Sequence, residues 1–239
     1  MGTMTNYFLC TISLFIYSNV VIAQQKILII TGGHDFEQKQ FFEMFDSFKD
    51  MDYDWLVQPE GNKLLEAEKK TDYQAIVYYD MYQPITTTQQ EAYLTELKKG
   101  TGMVFLHHSL VSYQDWPEFQ QIIGGKYLLK ETSTNPKSTY KHDVNLKVHI
   151  AKSGLKSHVT KGVQDFMIHD EVYGNYIVND NVTPLLITNH PESTEVIGWS
   201  HSYLNSKIVY LQPGHDHFAY ENSNYRKLVR QAIEFVISE

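Results

Sequence analysis

Cysteine is almost missing from this chain, and the single one, Cys10, lies inside an apolar N-terminal run. The run, Tyr7 to Ile22, carries no charged side chain and ends in Val21-Ile22-Ala23, followed by Gln24-Gln25. A small residue closing such a run is what a signal peptidase requires. Residues 1–23 therefore read as a secretory signal peptide, and residues 24–239 as the exported, periplasmic protein. The run is about 16 residues, short of the roughly 20 that span a bilayer, and no stop-transfer charges follow it, so no stable membrane insertion is expected after cleavage. One feature is off pattern: Met1 to Asn6 contains no Lys or Arg. Cys10 is not placed for lipidation either, because Tyr7-Phe8-Leu9 lacks the small residues expected before a lipidated cysteine. With Cys10 removed, disulfides, thiolate metal sites and cysteine nucleophiles are all excluded.

Basic residues are also scarce, 20 Lys and Arg against 28 Asp and Glu, for a net charge of −8. Nucleic acid is therefore not an expected partner, since its binding depends on clustered Lys and Arg. No repeat, low-complexity tract or linker interrupts residues 24–239, which read as one domain. Aromatic residues are plentiful, but they suit a sugar site and a hydrophobic core equally.

Short apolar runs punctuate the chain: Lys26–Ile30, Tyr53–Val57, Ala75–Tyr79, Met103–Leu106, Leu185–Thr188, Glu195–Trp199 and Lys207–Leu211. Several are continuously apolar, as strands buried on both faces of a parallel sheet are. Helical spacing of Phe41, Phe42, Phe45 and Phe48 marks an amphipathic helix after the first run. Thr86 to Thr88 caps a second helix that Gly100 closes, and Tyr225 to Ile237 forms a last one. Strands alternating with helices predict an α/β fold with a doubly wound parallel sheet. Lys126 to Ile150 reads differently: a polar insertion ending in a more exposed, antiparallel strand.

Open parallel sheets bind ligands beyond the carboxyl ends of their strands. The residues following the buried runs here are Gly32-Gly33-His34-Asp35, Asp80, His107-His108-Ser109 and Gly214-His215-Asp216-His217. Five of the eleven histidines fall in these short turns, more than even scatter would put there. Asp35 is equally suited to capping the next helix. One of His107 and His108 is expected in the crevice and the other in the core. His142, His149 and His158 read as structural. His169-Asp170-Glu171 is a second cluster, either a metal or acid–base site in a loop or the first turn of a helix. The spacings match no HExxH signature, so a divalent metal is a possible cofactor without an assigned ligand set.

Lys26 to Asp35 resembles the opening of trehalose-utilisation (ThuA-like) domains. Leu94 to His107, Trp116 to Gly125, Thr160-Lys161-Gly162-Val163 with Phe166, Asp170-Glu171-Val172-Tyr173, Gly198-Trp199 and Lys207 to Asp216 resemble later segments of the same family, in the same order. The resemblance implies a flavodoxin-like sheet similar to that of class I glutamine amidotransferases. In those relatives a cysteine occupies the turn that is Leu106-His107-His108 here, and a later histidine resembles His215. Without cysteine, amidotransferase chemistry is not available. Two departures stand out: Ser157-His158-Val159 where the family has His-Pro, and a doubled histidine at 107 and 108.

The resemblance further implies carbohydrate use, notably of trehalose, related disaccharides and their 3-keto forms. The expected roles are proton transfer for His107 and His215, with Glu171 orienting one of them or serving as partner acid. His34, Asp35, Asp80, His108, Asp170, Tyr173 and His217 are expected to bind substrate, with Tyr173, Trp199 and Tyr220 as stacking surfaces. Two other functions remain open at this level: a non-catalytic carbohydrate-binding or sensing protein, and a metal-dependent hydrolase. A shared pocket, whichever function it serves, requires that His34, His107 and His215 come close enough to share one small ligand.

Overall fold

The computed structural model describes residues 1–2, 24–67 and 72–238; the apolar run expected to serve as a signal peptide lies outside them. The first half alternates strand and helix: β1 (Gln25–Gly32), α1 (Gln38–Asp46), β2 (Met51–Val57), α2 (Glu60–Glu66), β3 (Ala75–Asp80), α3 (Thr87–Lys99) and β4 (Gly102–Leu106). A 3₁₀ turn, His107–Val111, follows β4, then α4 (Phe119–Ile123) and β5 (Gly125–Lys126). The second half is mostly strand: β6 (Thr139–Ile150), β7 (Phe166–Gly174), β8 (Ile177–Val178), β9 (Thr183–Ile187), β10 (Val196–Tyr203) and β11 (Ser206–Leu211), closed by α5 (His217–Glu221) and α6 (Ser223–Ile237).

The main sheet runs β2-β1-β3-β4-β11-β10-β9-β6-β7. Its first five strands are mutually parallel, in the flavodoxin-like order expected. The remaining four are antiparallel to their neighbours, so the doubly wound parallel sheet forms one half of a mixed sheet. The cause is local: β10 and β11 are joined by a tight turn at Leu204-Asn205, which forces them antiparallel.

Ile27, Leu28, Ile29 and Ile30 of β1 are fully buried, as are Ile76 and Val77 of β3 and the whole Met103–Leu106 segment of β4. Alternate residues feed two cores. Ile27, Ile29, Val77, Val104 and Val209 meet Phe41 and Phe45 of α1 and Leu228 and Ile233 of α6. Leu28, Ile76, Met103, Phe105 and Ile208 meet Tyr93 and Leu97 of α3 and Ile122 of α4. Each such side chain contributes about 1.5–3 kcal/mol of burial, so the parallel half is a rigid platform for the turns at its carboxyl end.

Helix α3 ends as its sequence indicates. Thr86 and Gln89 form a reciprocal capping box, and Gly100 closes it in the left-handed conformation. Strand β6 is exposed at its start and antiparallel to β7, as the polar insertion suggested. One expectation fails. His169-Asp170-Glu171 is neither loop nor helix start but the middle of β7, paired with β6. Its carboxylates tolerate burial there because backbone N–H groups and histidines from other segments meet them. Among the described residues no helix is long and apolar enough to cross a membrane.

Candidate active site

The turn after β4 sets the centre of the site. His107 takes a left-handed backbone, φ 49°, a costly conformation for a residue with a β-carbon. Two groups hold it: the Tyr210 hydroxyl donates to the His107 carbonyl (2.9 Å), and His107 Nδ1 lies 2.7 Å from the Gln212 carbonyl. A carbonyl only accepts, so Nδ1 carries a proton and Nε2 faces the site, donating to Glu171 when the ring is protonated and accepting when it is neutral.

Three side chains converge on that nitrogen. His107 Nε2 is 2.9 Å from Glu171 Oε2 of β7 and 3.3 Å from His215 Nδ1 in the loop after β11. His215 Nδ1 and Glu171 Oε2 are 3.3 Å apart, closing a triangle. Tyr173 Oη lies 3.0 Å from His107 Nε2, with its ring stacked on the imidazole. Burial alone pushes the Glu171 carboxyl up; hydrogen bonds from His107 and His215, and their charge, reverse this and hold it far below the usual carboxylate range. The same bond to Glu171 raises His215, against the opposing effect of burial.

Asp170 stands behind the triangle. It is buried, and its carboxylate accepts the backbone N–H of Gly214 (2.8 Å), of His215 (3.0 Å) and of Glu171 (2.8 Å). Burial pushes its carboxyl up, opposed by the charge of His107 and these three bonds. Asp170 therefore fixes the loop that presents His215; it does not face the ligand.

Beside the triangle lies a cavity of about 200 Å³ that opens to solvent, a small pocket for a ligand that stays partly exposed. His34, His108, His142 and Glu171 supply its polar wall, and Tyr82, Tyr127, Tyr140 and Tyr173 its aromatic one. The His34 ring centre lies 5.1 Å from that of His108 and 6.0 Å from that of His215. His108 Nδ1 bonds the Asp80 carbonyl (3.2 Å), so Nε2 is the acceptor nitrogen, and it has no hydrogen-bond partner. Burial and the neighbouring charges of His107 and His34 hold His108 well below the ordinary histidine range, hence neutral. Burial likewise lowers His34.

His34, His107, His108, Glu171, Tyr173 and His215 are thus brought together, close enough to share one ligand. His107 and His108 are both nearly inaccessible, and only His108 lines the cavity, with His107 behind it, so one faces the crevice and the other the core. Five more of the expected residues lie elsewhere. Asp80 is 1% exposed, its carboxylate held by Ser112, Gln58 and Tyr113; it builds the turn and does not reach sugar hydroxyls. Asp35 is exposed outside the cavity wall and does not cap α1, which starts without a side-chain cap. His217 pairs with Glu37 at the surface. Trp199 and Tyr220 are fully buried, the indole donating to the Ile123 carbonyl and the Tyr220 hydroxyl to the His215 carbonyl, so neither can stack on a ligand.

His142 reverses its structural reading. The β6–β7 ladder shifts register between Lys141 and Val144, with Asp143 at φ 57°. This bulge brings His142 Nδ1 to 3.3 Å from Glu171 Oε1, with the ring 4.8 Å from His215. Tyr82, Tyr127 and Tyr140 were also not singled out by sequence. The one available signal was the alternation of Tyr140 and His142 on a strand that pairs with Asp170–Tyr173. His149 and His158 are structural, pairing with Asp165 and Glu234.

Comparison with known proteins gives a consistent picture. The family model described as trehalose utilisation matches residues 26–236. A ThuA-like protein from Parabacteroides merdae superposes with a TM-score of 0.73 at 16% identity, covering 90% of each chain. One from Bacteroides uniformis gives 0.68 at 20% identity, over 94% of this chain and 96% of that one. The β-galactosidase of Bacillus circulans sp. alkalophilus gives 0.56 at 10% identity, over 89% of this chain but 31% of its own. No curated protein matches the sequence.

Proposed function

The chain belongs to the trehalose-utilisation (ThuA) family, and from that premise we propose that it is an enzyme acting on a small carbohydrate, a disaccharide or keto-sugar, at the His107–Glu171–His215 centre. The observation carrying this reading is that Glu171, held between His107 and His215, meets His34, His108 and His142 in the wall of one tyrosine-rich cavity. Sugars present hydroxyls and one apolar face. His34 and His142, in the polar wall with Glu171, offer ring nitrogens to sugar hydroxyls. Tyr82 and Tyr140, 53% and 62% exposed on the cavity wall, offer ring faces for the apolar side.

Glu171 is the member of the triangle that faces the cavity, with His215 partly exposed beside it and His107 buried behind. Proton transfer therefore falls to His215, with Glu171 as the ionised partner carboxylate that orients it, and His107 positions that carboxylate. The test is a panel of disaccharides and their 3-keto derivatives incubated with purified protein, with product followed by NMR and binding by thermal shift. Conversion of at least one sugar is expected. Binding without conversion across the panel would instead make the protein a sensor. The export reading rests on the Tyr7–Ile22 run and is tested by N-terminal sequencing of protein from a periplasmic extract, which should begin at Gln24.

A further inference from the structure

We propose that His107 Nε2, Glu171 Oε2 and His215 Nδ1 together bind one divalent first-row transition-metal ion. The proposal rests on taking these residues as the reactive centre, and not on the sugar.

Geometry comes first. Two ligand atoms each about 2.1 Å from an ion lie about 3.4 Å apart when tetrahedral and about 3.0 Å when octahedral and adjacent. The three separations here are 2.9, 3.3 and 3.3 Å. They are those of one face of a coordination polyhedron.

Electron pairs come second. His107 Nδ1 donates to the Gln212 carbonyl, so in the neutral ring Nε2 directs a lone pair at Glu171 Oε2, which is itself only an acceptor. A proton on the imidazole or a metal cation between the two relieves the repulsion of their lone pairs, and the Tyr173 hydroxyl at 3.0 Å meets Nε2 from another side. A proton can bridge two of the three atoms at a time, whereas a cation satisfies all three.

The surroundings are those of a metal site. A ligating histidine usually donates its other ring nitrogen to a carbonyl or carboxylate, as His107 does at 2.7 Å. The second oxygen of Glu171 is met by His142 Nδ1 at 3.3 Å, and the Gln212 side chain donates to the Glu171 carbonyl at 2.8 Å. Asp170 fixes the backbone of His215. His107 is fully buried, whereas Glu171 lines the cavity and the His215 side chain is 22% exposed, so the open side of the triangle is that of Glu171 and His215. Three protein ligands with one open side is the pattern of a catalytic rather than a structural ion. Two imidazoles and a carboxylate favour zinc, cobalt, iron or manganese over magnesium or calcium. Such an ion would take the place of the bridging proton and make its bound water the proton-transfer group.

The test uses the untagged chain, stripped with chelator and dialysed, then titrated with Co²⁺ and Zn²⁺. One ion per chain is expected, with visible d–d absorption for Co²⁺ and no heat for Mg²⁺. E171Q and H215A should each weaken binding by about a hundredfold or more, while H149A, at a surface pair with Asp165, leaves it unchanged. X-ray absorption on the zinc-loaded wild type needs no variant to fold and should show a nitrogen–oxygen shell containing two imidazoles. Absence of stoichiometric Co²⁺ binding, a shell without imidazole, or undiminished affinity in the E171Q/H215A double variant would overturn the proposal. Sugar turnover is not read in any arm. A failed sugar panel therefore leaves the ion standing, and failed ion binding leaves the carboxylate–histidine pair as the proton-transfer group.

Discussion

Asp170→Asn isolates the device that builds the site without touching its ligand. The wild-type carboxylate accepts three backbone N–H groups, two through Oδ1 and that of Gly214 through Oδ2. Asparagine keeps an oxygen for His215 and Glu171 but turns an NH₂ toward the Gly214 N–H, donor against donor. A charge-assisted bond contributes about 1.5–3 kcal/mol and a buried orphan donor costs about 1–3 kcal/mol. Removing a carboxylate whose burial raises its pKa recovers part of this, leaving a net loss of about 2 kcal/mol. For a chain of this size that lowers Tm by about 4–8 °C. Urea unfolding should show an earlier midpoint with an unchanged slope, because the surface exposed on unfolding is the same. Asp170→Ala, which orphans all three donors, should lose more. Stability for Asp170→Asn within about 0.5 kcal/mol of wild type, the range of an ordinary surface change, would refute the reasoning.

Asp80 gives a pH test. Burial pushes its carboxyl up to about 6, against hydrogen bonds from Gln58, Ser112 and Tyr113. The folded protein thus holds an extra proton between about pH 4 and 6, so this group's contribution to stability falls as pH rises through that window, by about 3 kcal/mol; Asp80→Asn should remove that fall from the difference between the two pH–stability curves measured in urea. Gly214 has φ 131°, and a β-carbon there would collide with the Tyr225 hydroxyl, so Gly214→Ala should cost about 2 kcal/mol or more by thermal unfolding. Trp199→Phe should lose about 1–3 kcal/mol by orphaning the Ile123 carbonyl while leaving sugar affinity unchanged by calorimetry. Tyr140→Ala should do the opposite, holding Tm but raising the sugar Kd.

The parallel half of the sheet was legible because burial on both faces writes itself as an unbroken apolar run, as in Lys26–Ile30 and Met103–Leu106. Its strand ends then located His34, His107, His108 and His215. The strand Phe166–Gly174 was not legible, because His169-Asp170-Glu171 looks solvated until the Gly214–His215 backbone and His107 are placed against it. Those partners lie far away in sequence. His142 depends on a one-residue bulge in the β6–β7 ladder, and no residue pattern announced it. Trp199 and Tyr220 failed as stacking surfaces for a different reason: aromatic residues near a motif are as readily core as rim, and here both are core.

Glu171 is the only member of the His107–Glu171–His215 triangle in the cavity wall, and the central claim turns on it. The most direct measurement is turnover of the best sugar on the panel by wild type and by Glu171→Gln, each checked by circular dichroism for an intact fold. Loss of proton transfer predicts a kcat lower by about a hundredfold or more, with the sugar still bound. Equal turnover by the folded variant, or none by wild type on any sugar, would contradict the account.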